Sequence, residues 1–135
     1  MNSAESIGQT FSKVGKLIDK LNEGINTEKI FQSKGKPNPN AHILEYLMLG
    51  VHKEFRRLGI GRKLTEKSFR IAKALGCVAV KADAVNFKVQ KLYEKLGLST
   101  LKTIKPDEVL GPDGKALLKF DDETTCVKLM VKYID

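Results

Sequence analysis

An apolar run, Ile43 to Val51 (ILEYLMLGV), leads within a few residues into a basic stretch with two glycines, Arg56 to Leu64 (RRLGIGRKL). This junction constrains the fold more than any other feature of the chain. The run is apolar almost throughout, with Glu45 its one charge, and it is too short for an ordinary buried helix. It fits a strand covered on both faces. Gly50, near its end, weakens a strand and marks a bulge or a place where a ligand comes close. After the glycines, residues 61–75 put Leu64, Ser68, Ile71, Ala72 and Leu75 on one helical stripe, with Gly76 as a stop. A strand, a tight glycine turn and a helix together form a recurrent phosphate cradle. The free N–H groups of the first helical turn point at the anion, and the helix dipole adds to the attraction. Glycine is needed where a side chain would block the phosphate or where φ must be positive.

The spacing excludes two familiar ligand motifs. No G-x-x-x-x-G-K-[ST] occurs, and the third glycine of G-x-G-x-x-G is replaced by Leu64. What remains is Arg56-x-x-Gly59-x-Gly61. The net charge of +8 is concentrated here: Lys53, Arg56, Arg57, Arg62, Lys63, Lys67, Arg70 and Lys73 are opposed by Glu54 and Glu66 alone. A charge run is commonly a solvated helix face. It also suits phosphate-bearing partners, either a small molecule or nucleic acid. Against a nucleic-acid module, aromatic content is 7% with no tryptophan, and no aromatic cluster interleaves the basic run for base stacking.

The rest of the chain supplies the frame. Its 135 residues suit one domain. Residues 4–22 carry Ile7, Phe11, Val14, Ile18 and Leu21 at helical spacing, residues 28–33 fit a second short helix, and SKGKPNPNAH is a loop by composition. CVAVKADA (77–84) reads as a strand. NFKVQKLYEKLG (86–97) reads as a helix with Asn86 as N-cap, a stripe at Val89, Leu92, Tyr93 and Leu96, and Gly97 closing it. Residues 98–105 read as a strand, and a long loop with a turn at Pro112-Asp113-Gly114 leads to a last strand, 126–134, with one wetter face. The order from residue 43 is strand, helix, strand, helix, strand, strand. It predicts an α/β fold: a mixed sheet whose central parallel pair carries packed helices and whose last strand is antiparallel.

The pattern V-x-x-x-F-R-R-x-G-I-G-x-x-L, Val51 to Leu64, resembles the acetyl-CoA signature of the Gcn5-related N-acetyltransferase (GNAT) superfamily. Residues 86–98 resemble its downstream motif: Asn86, Tyr93, Glu94, Lys95, Gly97 and Leu98 all match. The tail, DGKALLKF…TTCVKLMVKYI, is similar to the end of arylalkylamine N-acetyltransferase-like proteins of insects and nematodes. The resemblance implies acetyl transfer from acetyl-CoA to a small primary amine by direct attack. It implies that backbone at Leu49, Gly50 and Val51 meets the pantetheine arm. It implies that Arg56 and the amides of Arg57, Leu58, Gly59, Ile60, Gly61 and Arg62 surround the pyrophosphate. Asn86 would reach the pantetheine, and Tyr93 would protonate the departing thiolate.

The resemblance also sets limits. A complete member has further strands before the signature strand, whereas residues 1–33 read as helical and 34–42 as loop. The chain therefore resembles the C-terminal part of such an enzyme, and a catalytically incomplete CoA-binding fragment is the alternative reading. The apolar strand Ile43–Val51 would keep an open edge, which predicts a homodimer or bound partner. His52 is a candidate base beside a bland solvated role. No apolar run reaches the length of a membrane span, and no signal peptide is evident at the N-terminus. Cys77 and Cys126 are expected to be reduced thiols in a cytoplasmic protein, and the two histidines and two scattered cysteines suggest no metal site.

Overall fold

A computed structural model describes residues 13, 15–24, 42–46, 49–115 and 124–134. Four strands form one mixed sheet: β1 (His42–Tyr46), β2 (Cys77–Ala84), β3 (Ser99–Ile104) and β4 (Val127–Tyr133), in the spatial order β1-β2-β4-β3. β1 and β2 run parallel, and the β2–β4 and β3–β4 pairs are antiparallel. Helix α1 (residues 15–22) covers one face, while α2 (Ile60–Ala74) and α3 (Phe87–Lys95) cover the other. The predicted element order and mixed sheet are both present. The expected helix at 28–33 lies outside the described residues.

The two faces follow from strand alternation. On β2, Ala79 points toward α1 and packs with Leu17, Leu21, Leu129 and Val131. Val80, Ala82 and Ala84 point the other way and pack with Ala72, Tyr93 and Met130. With helices on both sides, β2 is buried along nearly its whole length, so its sequence reads apolar rather than alternating. On the α1 side Leu21 is buried as expected, Leu17 is buried with it and Ile18 is half-exposed; Ile7, Phe11 and Val14 of the expected stripe lie outside the described residues.

Helix ends are well specified. Asn86 is the N-cap of α3, its side chain accepting from Val89 N at 2.9 Å. Gly97, at φ +97°, turns the chain out after α3, with Leu98 N donating to Tyr93 O at 2.9 Å. Lys102 of β3 donates to the terminal carbonyls of Lys20 and Glu23 at 3.2 and 2.7 Å, placing a cation at the end of α1 where the dipole favours it. Replacing Asn86 by alanine leaves the first N–H groups of α3 without this acceptor. Chemical denaturation is expected to show a loss of about 1 kcal/mol. An unchanged midpoint would mean that the cap contributes nothing.

Two predicted stretches need correction. The signature strand is shorter than residues 43–51: the described strand is His42–Tyr46, and residues 49–51 lie outside the sheet. A register irregularity falls at His42/Ile43. The inward stripe of α2 is also rotated. Thr65 and Ala72 are buried with Gly61 and Ser68 beside them, whereas Leu64, Ile71 and Leu75 are exposed. Small side chains let α2 lie close to the sheet, and the larger ones are left on its flank.

Candidate functional site

A cavity of about 740 Å³ lies beside residues 49–51, which follow β1 in the chain. Leu49, Gly50 and Val51 form one wall. Arg56, Arg57, Gly59, Ile60, Gly61 and Arg62 form a second, and Asn86 stands in a third. The structure thus brings together ten of the residues marked in the sequence. Leu58 is in the same turn but does not line the cavity, and its side chain points to solvent. The third wall was not legible beforehand: Phe87, Lys88, Val89, Leu92 and Thr124 complete it. Val89 and Leu92 had been read as helix stripe. Thr124 lies in a loop that carried no signal; its hydroxyl accepts from Phe87 N at 3.0 Å and ties the start of α3 to the approach to β4.

The glycine turn is built for an anion. Gly59 is the N-cap of α2 at φ +76°, and no side chain caps the helix there. The first turn holds no acidic residue. The leading N–H groups of this 15-residue helix therefore lack intrahelical acceptors while carrying the positive end of its dipole. A Cβ at Gly61 would sit 3.6 Å from Leu92 and 3.9 Å from Leu49, so the turn packs closely across the cavity floor. Arg57 adopts φ +67°, a left-handed conformation rare for a non-glycine residue. Arg56 fixes the turn from outside, its Nε donating to Val51 O at 3.0 Å. Arg57, Arg62 and Lys88 add positive charge to the walls, and no described lining residue is acidic.

Tyr93 stands apart from the cavity lining. It is 3% exposed, packed behind Val89, Leu92 and Leu49, with its ring centroid 5.8 Å from that of Tyr46. Burial first, and the neighbouring Tyr46 phenol second, push its hydroxyl up to about 12. It is therefore a neutral O–H at any ordinary pH, and it makes no hydrogen bond to a described residue. His52 caps a short turn, with Nδ1 accepting from Glu54 N at 3.2 Å and its ring against Phe55. It does not line the cavity. No carboxylate, imidazole or thiol is among the described lining residues.

A polar network lies on the opposite face of the sheet. Lys81, buried, donates to Glu45 at 3.0 Å across the β1–β2 register, and Asp83 takes the amide of Asn22 from α1 at 3.1 Å. Burial raises the Asp83 carboxyl above its usual range against the pull of Lys81 and Asn22. The lone charge in the apolar run was thus a sequence signal for a partner. Cys77 is buried and Cys126 half-exposed; both are free, on the antiparallel neighbours β2 and β4 or beside them. Among the described residues no cluster of His, Cys, Asp or Glu could hold a metal, and no helix is long and apolar enough to cross a membrane.

The site is a cationic cleft between two helices, beside an uncapped helix N-terminus on a mixed sheet. The comparisons name the class within that description. The chain belongs to the acetyltransferase (GNAT) family, whose model matches residues 29–98. Arylalkylamine N-acetyltransferase 2 from Aedes aegypti is 30% identical, with a TM-score of 0.79 over 93% of this chain and 55% of that one. Mosquito arylalkylamine N-acetyltransferase like 5b shares the fold at 24% identity and TM-score 0.67, covering 87% of this chain and 52% of that one. Arabidopsis thaliana NAA60, solved in complex with acetyl-CoA, shares it at 16% identity and TM-score 0.54, covering 76% of this chain and 52% of that one. The chain thus spans about half the length of the structures it matches. No curated protein matches it.

Proposed function

We propose that this chain is the acetyl-CoA-binding part of an N-acetyltransferase that acts on a small primary amine of the arylalkylamine type. The observation that carries the reading is the cavity bounded by Gly50–Val51, the uncapped N-terminus of α2 and Asn86. The amides of Ile60, Gly61 and Arg62, with Arg56, Arg57 and Lys88 around them, suit a pyrophosphate. The backbone at Leu49–Val51 lies outside the described strands and suits pairing with the pantetheine amides, with Val51 O already accepting from Arg56. Asn86, whose carbonyl oxygen is used by the cap, keeps its amide N–H groups for the same arm. The similarity to the Aedes enzyme supports the choice of amine.

In the reaction, the amine nitrogen bonds to the thioester carbonyl carbon, and the C–S bond then breaks with its electron pair on sulfur. Tyr93 gives its proton to that sulfur and recovers one from solvent. The proton lost by the amine passes to water, since no described lining residue is a base. The two free thiols support a reducing, cytoplasmic setting. A second reading, a domain that binds the cofactor without turnover, is favoured by the lack of a base among the described lining residues. Calorimetry with acetyl-CoA, followed by a thiol-release assay over tyramine, dopamine, serotonin and a polyamine, separates the two. Binding with release is expected. Binding without release selects the second reading, and no heat at millimolar ligand removes both.

We also propose a homodimer along the free edge of β1, which no described strand pairs. Ser68 of α2 touches Tyr46 of β1, while Phe69 lies under Lys132 of β4. The helix flank beyond Ser68, bearing Leu64, Ile71 and Leu75, therefore overhangs that edge, and all three are exposed. Sedimentation at tens of micromolar is expected to give a dimer, and Ile71→Glu a monomer. A wild-type chain that sediments as a clean monomer would refute the proposal.

A further inference from the structure

The buried tyrosine pair carries more than packing. Tyr46 and Tyr93 come from different elements, β1 and α3, and a third element, α2, holds Tyr46 through Ser68. The direction of these hydrogen bonds is fixed by counting protons. Ser68 Oγ donates to the carbonyl of Thr65 in the preceding turn of α2. A serine hydroxyl has one proton, so toward Tyr46 it can only accept. Tyr46 is therefore the donor of the Tyr46–Ser68 bond, and its own proton is committed. The chain of donation runs Tyr46 O–H to Ser68 O–H to Thr65 C=O and ends on a helix carbonyl. Thr65 repeats the device one turn earlier, donating from Oγ1 to Gly61 O at 2.8 Å, so neither hydroxyl on this face of α2 has a proton to spare.

Two consequences follow. The ring of Tyr46 is pinned at both ends, by its strand and by α2, and it presents a fixed surface to the ring of Tyr93 at 5.8 Å. Tyr46 also has no proton to offer the Tyr93 oxygen, and no described residue commits the Tyr93 O–H. One phenol is locked, and among the described residues its neighbour keeps its proton to donate.

We propose that Tyr46, locked by Ser68, is a positioning residue that holds Tyr93 as a free proton donor to the thiol end of the bound cofactor. This rests on the acetyl-CoA reading given above and deepens it. Tyr46 does no bond-making itself. The proton that moves is the one on Tyr93, which goes to the sulfur as the C–S bond breaks. Ser68 meets the pair from α2, its proton going to Thr65 O, and the pair sits in an apolar cluster with Leu49, Val89, Leu92 and Met130. Burial, Ser68 and the two phenols themselves are what perturb the pair, not a neighbouring carboxylate or ammonium. Alignment, rather than a neighbouring charge, is then what Tyr46 supplies.

The test uses CoA itself, so it does not depend on turnover. The thiol of bound CoA is titrated through its ultraviolet thiolate absorbance in the wild-type chain and in Y46F, S68A, S68T and Y93F, each first shown to bind CoA. A well-aligned donor favours the thiolate, so the wild-type midpoint lies below that of free CoA. Y46F and S68A are each expected to move it back up by about half to one pH unit, the effect of one lost hydrogen bond. The double variant Y46F/S68A should move it no further, and S68T, which keeps the hydroxyl, should restore the wild-type value. In a Y93F background neither Y46F nor S68A should have any effect. A midpoint in Y46F and S68A equal to that of the wild type, with CoA bound, overturns the inference alone, as do shifts that persist without the Tyr93 hydroxyl. Failure of CoA to bind the wild type removes the cofactor reading and this inference with it.

Discussion

Gly59→Asp is expected to weaken acetyl-CoA binding at least a hundredfold while leaving the melting temperature within about 5 °C of the wild type. Gly59 sits at φ +76° as the N-cap of α2, and a Cβ built there meets nothing within 4 Å. The cost of the substitution is therefore in the backbone, not in packing. Aspartate and asparagine are the non-glycine residues that tolerate this conformation best, at a cost of about 1 kcal/mol. Aspartate also recovers a similar amount, because its carboxylate caps N–H groups that now have no side-chain partner and meets the positive end of the helix dipole. Fold stability is nearly balanced, and the ligand is not. The carboxylate would occupy the place proposed for the pyrophosphate and repel it in a cleft whose described walls carry no other acid. Gly59→Asn is the matched control, of the same shape without the charge, and should lose far less affinity by calorimetry. Equal losses for the two would mean that sterics and strain decide the effect and that the phosphates sit elsewhere.

That prediction depends on a part of the molecule that was legible in the sequence, and the reason is physical. A tight turn with positive φ between an apolar run and a helix needs glycine, so Gly59 declares itself, as do Gly76 and Gly97 at the ends of α2 and α3, both with positive φ. Asn86 was legible for a similar reason: a cap is local, and its bond to Val89 N spans three residues. What failed was longer-ranged. Leu64, Ile71 and Leu75 have the period of a buried face and are exposed, because tertiary contact chose the small residues Gly61, Ser68 and Ala72 to face the sheet. Periodicity gives the angle between positions on a helix, not which flank is inward. Residues 49–51 lie outside the strand although the apolar character continues, because Leu49 and Val51 are apolar for the cavity wall rather than for the sheet. Thr124 could not have been found at all. It meets Phe87 across 37 positions of sequence, and a threonine in a loop carries no pattern.

Replacing Tyr93 by phenylalanine is expected to lower kcat about a hundredfold, the lower end of what a positioned general acid contributes, with acetyl-CoA affinity unchanged within a factor of two. The affinity should hold because a thioester sulfur is a weak hydrogen-bond acceptor, so the Tyr93 hydroxyl acts on the transition state and not on the bound ground state. Stability at neutral pH should hold as well, since the hydroxyl makes no hydrogen bond to a described residue and the ring remains. The same substitution has a signature in alkali that needs no substrate. In the unfolded chain this phenol titrates near 10, and burial with Tyr46 beside it moves the folded value to about 12. Between those values the unfolded state has released a proton that the native state keeps, so stability falls as pH rises through that window. The slope is about 1.4 kcal/mol per pH unit, for a total of roughly 2–3 kcal/mol. Below pH 10 the contribution is intact, and it is gone above about 12. In Tyr93→Phe, urea midpoints between pH 10 and 12 should be correspondingly flatter. A parallel alkaline loss in both proteins would show that the Tyr93 hydroxyl is not buried as described. A kcat within twofold of wild type would remove it from the chemistry, and the proton for the departing thiolate would then have to come from water in the cleft.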